Sequence, residues 1–172
     1  MVSHLPIRIT FSLPDGWQAA PPDEVGASGV AFVALHPGSA DGFTPNITIA
    51  GQFRDPELSM EAIADESVRR LEDETGTVQV RQRTDVGSEG APGITQVLDI
   101  MATVDNRPLP LVQCQVHVSM HDIDDPSKRA VIELILTCKP TQLEDVFGDF
   151  QEFVRTVRPA EAEPAGAGGP AQ

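Results

Sequence analysis

Cysteine is scarce in this 172-residue chain, and Lys and Arg together number 12 against 26 Asp and Glu. Two cysteines, Cys114 and Cys138, exclude a disulfide framework and a CxxC metal knuckle. The shortage of basic residues leaves a formal charge of −14 and an isoelectric point near 4.4. That balance excludes nucleic acid and anionic membrane surfaces as partners, because both select a basic face. No apolar run approaches the ~18 residues of a membrane span, so no membrane insertion is expected. The chain opens without a basic n-region, an apolar h-region or a small-residue cleavage site. No cysteine precedes Cys114 to carry a lipid, so the expected location is cytoplasmic. Aromatic residues make up only 5% of the chain, yet hydrophobic residues reach 40%. That composition and length suit one globular domain with a real core.

The domain is expected over residues 1–158. From Pro159 to Gln172 the chain is Ala, Gly, Pro and Glu, a composition that cannot pack and reads as a solvated, disordered tail. Within the domain, strict apolar/polar alternation marks strands. Ile7, Ile9, Phe11 and Leu13 form the first set, and Pro14-Asp15-Gly16 then turns the chain. Val30 to Leu35, Ile47 to Phe53, Val78 to Arg83, Leu98 to Val104, Val112 to Met120 and Ala130 to Cys138 complete seven strands.

Two segments carry helical period. Met60, Ile63, Ala64, Val68 and Leu71 form one apolar stripe over 59–73, with Ser59 as N-cap and Leu58 as staple. Leu143, Val146, Phe147, Phe150, Phe153, Val154 and Val157 form a second, opened by a Thr141–Glu144 capping box and stopped by Pro159. The order β-β-β-α-β-β-β-β-α predicts an α+β fold, an antiparallel sheet of about seven strands packed with two helices. One sheet face is expected to be core. The other carries Thr48, Gln52, Arg81, Arg83, Asp99, Gln113, Gln115, His117 and Glu133, with Val97, Met101, Val131 and Ile135 as apolar islands.

Phe11-Ser12-Leu13-Pro14-Asp15-Gly16-Trp17 resembles the F-x-x-P-x-G-W opening of the actinobacterial LpqN/LpqT family. Gly42-Phe43-Thr44-Pro45-Asn46-Ile47 resembles the F-x-P-N-hydrophobic strand that follows it there, and the two helices fit the same plan over roughly residues 6–158. The resemblance implies a PsbP/MOG-like α/β/α sandwich, a fold of binding and assembly proteins. Many family members are envelope lipoproteins, whereas this chain lacks the lipobox cysteine. The family offers no catalytic residue to carry over.

The residues themselves point the same way. His117 and His121, four apart on a strand, lie roughly 13 Å from each other and cannot share one ion. Asp122, Asp124 and Asp125 lack the glycine and glutamate of a calcium loop and read as an acidic hairpin loop. Gly87 to Gly93 has no lysine to cradle phosphate, and both cysteines fall on the buried phase. Pairing Met120 with Ala130 would place Cys114 opposite Leu136, and a shift of two residues would place it directly opposite Cys138. Trp17 reads as a core-capping ring whose N–H meets a backbone carbonyl. No catalytic residue, metal or cofactor is expected. The expected function is a non-catalytic protein-binding or chaperone-like module, linked to secretion or envelope assembly, that uses the second sheet face. Its candidate residues are Trp17, Phe43, Arg81, Arg83, Val97, Met101, His117, Val131 and Ile135. The partner would be another protein or a second copy of the chain. The alternative is a small-molecule or lipid pocket between sheet and helix near Trp17 and Phe43.

Overall fold

The computed structural model describes residues 5–24, 29–121, 125 and 127–160. Among them the strands β1 (Ile9–Thr10), β2 (Gln18–Ala20), β3 (Phe32–Leu35) and β4 (Asn46–Arg54) precede helix α1 (Met60–Thr75). Then come β5 (Thr77–Gly87), β6 (Pro92–Val104), β7 (Arg107–His121), β8 (Arg129–Cys138), α2 (Leu143–Thr156) and β9 (Arg158–Pro159). Seven strands form one antiparallel sheet in the order β2-β3-β4-β8-β7-β6-β5. The class and the strand number agree with the expectation, but the membership differs. Only Ile9–Thr10 of the first alternating segment pairs, and it pairs with β9 as a separate ribbon. Its apolar side chains instead pack at the rim of the core, with Phe11 edge-on to both Phe32 and Phe153. The seventh strand is β2, directly after the Pro14–Trp17 corner. Ala160 also donates its N–H to the carbonyl of Arg8, extending the ribbon. Residues 161–172, the greater part of the expected tail, lie outside the described residues, as do Asp122 and Asp124.

Residues paired across an antiparallel ladder share a face. Ile47, Leu136 and Cys114 are aligned across β4, β8 and β7 and pack beneath Val146, Phe150 and Phe153 of α2. On the reverse face, Leu98, Ile100 and Ala102 of β6 pack against Val68 and Leu71 of α1, and Ile94 and Val131 against Met60, Ile63 and Ala64. The helices therefore lie on opposite faces, and each face carries an apolar core. The expectation of a single core face is corrected here: the apolar set of β6 belongs to the face opposite that of β7 and β8.

Each helix is too narrow to cover its face. Seven strands span roughly 29 Å at ~4.8 Å spacing, against a helix diameter of about 10 Å. α1 sits over β5 and β6 and α2 over β8, so each face keeps one open lane, on opposite sides of the sheet.

Local chemistry sets the boundaries. Ser59 caps α1 by accepting from the Ala62 N–H at 3.0 Å. The Thr141 capping box does not form. Gln142 occupies the cap position of α2 without a side-chain cap bond, because its amide accepts from the Lys139 N–H and donates to the carbonyls of Ser39 and Phe43. Asp105 and Asn106, both at positive φ, close a two-residue hairpin. β7 starts five residues earlier than its alternation suggests. Pro108 and Pro110 are tolerated there because the β7–β8 ladder ends at Val112, so their missing N–H leaves no gap in it.

Candidate functional site

The expected surface divides into a buried shelf, a polar groove and an apolar trough. The shelf lies under α1 and is built on Gln96, Gln115 and His117, none more than 1% exposed. Gln115 Oε1 accepts from Ser67 Oγ at 3.0 Å, Gln96 Nε2 at 2.8 Å and His117 Nε2 at 3.0 Å. Gln96 also reaches the carbonyl of Ala64, and Arg83 spans from Gln96 to Asp65 of α1. With Nε2 turned to Gln115, His117 Nδ1 has no hydrogen-bond partner and lies 3.8 Å from Glu133 Oε1. Burial holds the imidazole below its usual range, and the Glu133 carboxylate opposes that only in part. His117 is a buried member of the shelf that Ser67 and Ala64 of α1 join, not an open residue of the second face. Val131, expected as a surface island, is 1% exposed and is covered by α1.

Beside α1, over β4 and β8, lies a polar groove of about 370 Å³. Its wall carries Arg70 and Glu74 and its floor Gln52, Gln113, Glu133 and Ile135. Arg70 lies 3.6 Å from Glu133. Ile135 is thus the one apolar candidate of this face that keeps contact with open space.

Val97 and Met101 are on the opposite face. Val97 pairs with Cys114, whose neighbours are all beneath α2. Between α2 and β5–β6 run two cavities of about 340 and 560 Å³ that share Val97, Cys114 and Phe147 in their lining. Met101 and Phe147 are 45% and 37% exposed. Arg81 stands at the edge of this trough, bound to Asp99. A bulge between Val80 and Gln82 separates Arg81 from Arg83, which faces α1. The two arginines were expected on one face because alternation counts them two apart; the extra bulge residue breaks that count.

Trp17 and Phe43 line neither the groove nor the trough. Trp17 is 7% exposed, its ring 4.9 Å from that of His36, and its indole N–H donates to Asp149 of α2 at 3.0 Å. The partner is a carboxylate, not the expected backbone carbonyl. Gly16 makes this corner: its φ is +91°, and a Cβ there would stand 2.9 Å from His36 Nε2. Phe43 is half-buried and supplies its carbonyl to Gln142.

The thiols are buried, and burial pushes Cys114 up to about 11 and Cys138 up to about 12. Cys114 does stand opposite Leu136. Sequence reasoning missed Phe147, Gly148 and Arg155 on the trough side of α2, because Phe147 was counted only as part of the core stripe. It also missed Arg129, which donates to the carbonyls of Asp55 and Leu58 and fixes the entry to α1. Among the described residues no helix is long and apolar enough to cross a membrane, and no group of three potential ligands could hold a metal ion.

The sheet order and the two opposed helices define a PsbP/Mog1-like α+β fold. Its LpqN-like form is seen in the similarity to LpqN of Mycobacterium tuberculosis, involved in cell envelope biogenesis, at TM-score 0.63 and 13% identity, covering 90% of this chain and 86% of that one. The cyanobacterial PsbP (CyanoP) of Synechocystis is similar at TM-score 0.60 and 12% identity over 88% of this chain and 86% of its own. The Ran-binding protein Mog1p of Saccharomyces cerevisiae is similar at TM-score 0.51 and 15% identity, over 87% and 89%. No protein-family model matches the chain, and no curated protein matches it in sequence.

Proposed function

We propose that this chain is a non-catalytic, chaperone-like protein-binding module that holds an apolar segment of another protein in the trough between α2 and β5–β6. The observation that carries this reading is the juxtaposition of Val97, Cys114 and Phe147 around open space on a chain that is otherwise strongly acidic. Apolar side chains left together at a sheet–helix crevice mark an interaction site more often than a catalytic one. The described histidines and cysteines supply no contrary constellation: His117 belongs to the buried shelf and both thiols are buried. LpqN serves envelope biogenesis and Mog1p binds Ran, and a fold used for binding elsewhere supports the same use here, in secretion or envelope assembly. The alternative pocket at Trp17 and Phe43 is not favoured, since Trp17 fills its own space.

The test compares wild type with the double variant Phe147→Asp/Gln151→Asp, at two positions that line both cavities. Both positions are exposed, so circular dichroism should report an unchanged fold. Affinity capture should recover a stoichiometric partner with wild type and with Gln113→Ala in the polar groove, but not with the double variant. Equal recovery by all three proteins would remove the trough from the reading. Light scattering at low and high salt identifies the case in which that partner is a second copy.

A further inference from the structure

We infer that the trough is a lane one helix wide, and that its occupant is an amphipathic α-helix of another protein lying antiparallel to α2. The inference rests on the reading of the trough as the binding surface and adds the shape and polarity of what binds there. The width follows from the sheet. α2 sits over β8, and β6 lies two strands away, roughly 9.6 Å at ~4.8 Å per strand. Packed helices stand 8–10 Å apart, so a helix laid over β6 touches α2 and the sheet at once. On the reverse face α1 already covers β5 and β6. The lane completes the layer that α2 begins.

Gly148 is the second observation. It lies in the middle of α2, on the trough side, where glycine weakens a helix. Nothing inside the fold requires it: a Cβ there would meet no atom within 4 Å. A glycine facing an open lane allows a second backbone to approach closely.

Charge sets the direction. Glu144 in the first turn of α2 and Arg155 in its last turn both line the lane. They are 11 residues apart, about 16 Å along the helix. Arg81 is engaged by Asp99 and adds little. A helix with acidic residues in its first turn and basic ones in its last, the polarity that its own dipole favours, matches Arg155 and Glu144 only when it runs antiparallel to α2. Among the described residues the chain offers no such helix. α1 and α2 are already packed on the sheet, residues 161–172 are only Ala, Gly, Pro, Glu and Gln, and two copies would each bring a charge of −14.

The experiment uses the full chain and two synthetic 15-residue helical peptides with identical leucine spacing. One has glutamates in its first turn and lysines in its last, and the other has these charges exchanged. Fluorescence anisotropy measures affinity, and the methyl NMR signals of Val97, which lines both cavities, report the site. The first peptide should bind about tenfold more tightly. The Glu144→Arg/Arg155→Glu protein should invert that preference. Gly148→Ala should raise the thermal midpoint while weakening the peptide at least threefold, a combination that a purely structural glycine would not give. Equal binding of both peptides with Val97 shifts would overturn the orientation and leave the trough reading standing. Absence of any Val97 shift at millimolar peptide would overturn both. A concentration-dependent dimer abolished by Phe147→Asp would assign the lane to a second copy and overturn the inference.

Discussion

Replacing Gln115 by leucine tests whether the polar shelf holds α1 in place. Leucine is close to glutamine in shape, so the change removes hydrogen bonds without opening a large cavity. Three buried donors converge on the Gln115 carbonyl, from Ser67, Gln96 and His117. They do not lose equally. Gln96 keeps its bond to the Ala64 carbonyl, and Ser67 can rotate to a carbonyl one turn back in its own helix. His117 Nε2 keeps no partner, which costs about 1–3 kcal/mol for a buried donor. Weaker bonding at Ser67 and Gln96 adds about 1 kcal/mol, and the extra apolar burial of leucine returns about 1. The net loss expected is about 2 kcal/mol, read as a lower urea midpoint by circular dichroism with an unchanged m-value. A second substitution makes the test specific. His117→Leu removes the orphan donor, so Gln115→Leu/His117→Leu should be less destabilised than the sum of the single variants by at least ~1 kcal/mol. Strict additivity, or a single-variant loss below ~0.5 kcal/mol, would show that the shelf fills space without specifying the position of α1.

Two further predictions follow from buried groups. Desolvation holds His117 below its ordinary 6.5, so on acidification the unfolded chain takes up this proton before the folded one. The stabilisation is complete above about pH 6.5 and declines as pH falls from there through the depressed folded value. Wild type should therefore lose more stability than His117→Gln between pH 7 and pH 5; parallel urea midpoints for the two proteins would refute it. At the corner, Gly16→Ala meets both an unfavourable φ and the His36 ring, and should cost about 1–2 kcal/mol. The fluorescence of Trp17, the chain's single tryptophan, should shift to the red, and an unshifted spectrum would show that the corner adapts.

The sequence made the element types readable because period is a local property. Alternation located most strands, and the apolar stripe of 59–73 located α1, capped by the serine expected. What alternation could not show was which face each strand turns to the core. That depends on pairing, and pairing depends on single residues. The Asp105–Asn106 turn places Val104 opposite Arg107, and counting back from it puts Val97 against Cys114 and Leu98 against Gln113. That count was available in the sequence and would have moved Val97 and Met101 off the His117 face. The bulge at Arg81 left no comparable sign, since nothing in Val80-Arg81-Gln82 distinguishes it from regular strand. The first segment misled for another reason: Ile7, Ile9, Phe11 and Leu13 alternate because they pack at a core rim, a use of period 2 that needs few strand partners. The candidate residues of the sheet were legible as one alternating set, and register divided them between the shelf, the groove and the trough side of the sheet.

The strand order also says how the sheet must be made. β5, β6, β7 and β8 follow one another in sequence and in space, so their ladders close locally. β2, β3 and β4 form a second local block. The two blocks meet along one seam, β4 against β8, where Arg54 pairs with Arg129 across about 75 residues of intervening chain. From the open chain, closing a loop of that length would cost about 4 kcal/mol in entropy, and pairing β5 to β8 first shortens the free connection to the segment between β4 and β5. The α2 core spans this seam, with Ile47 and Ile49 on one side and Leu134 and Leu136 on the other. Neither block can bury its apolar face under α2 alone. The middle of the sheet, its most buried part in the finished molecule, is therefore expected to assemble last.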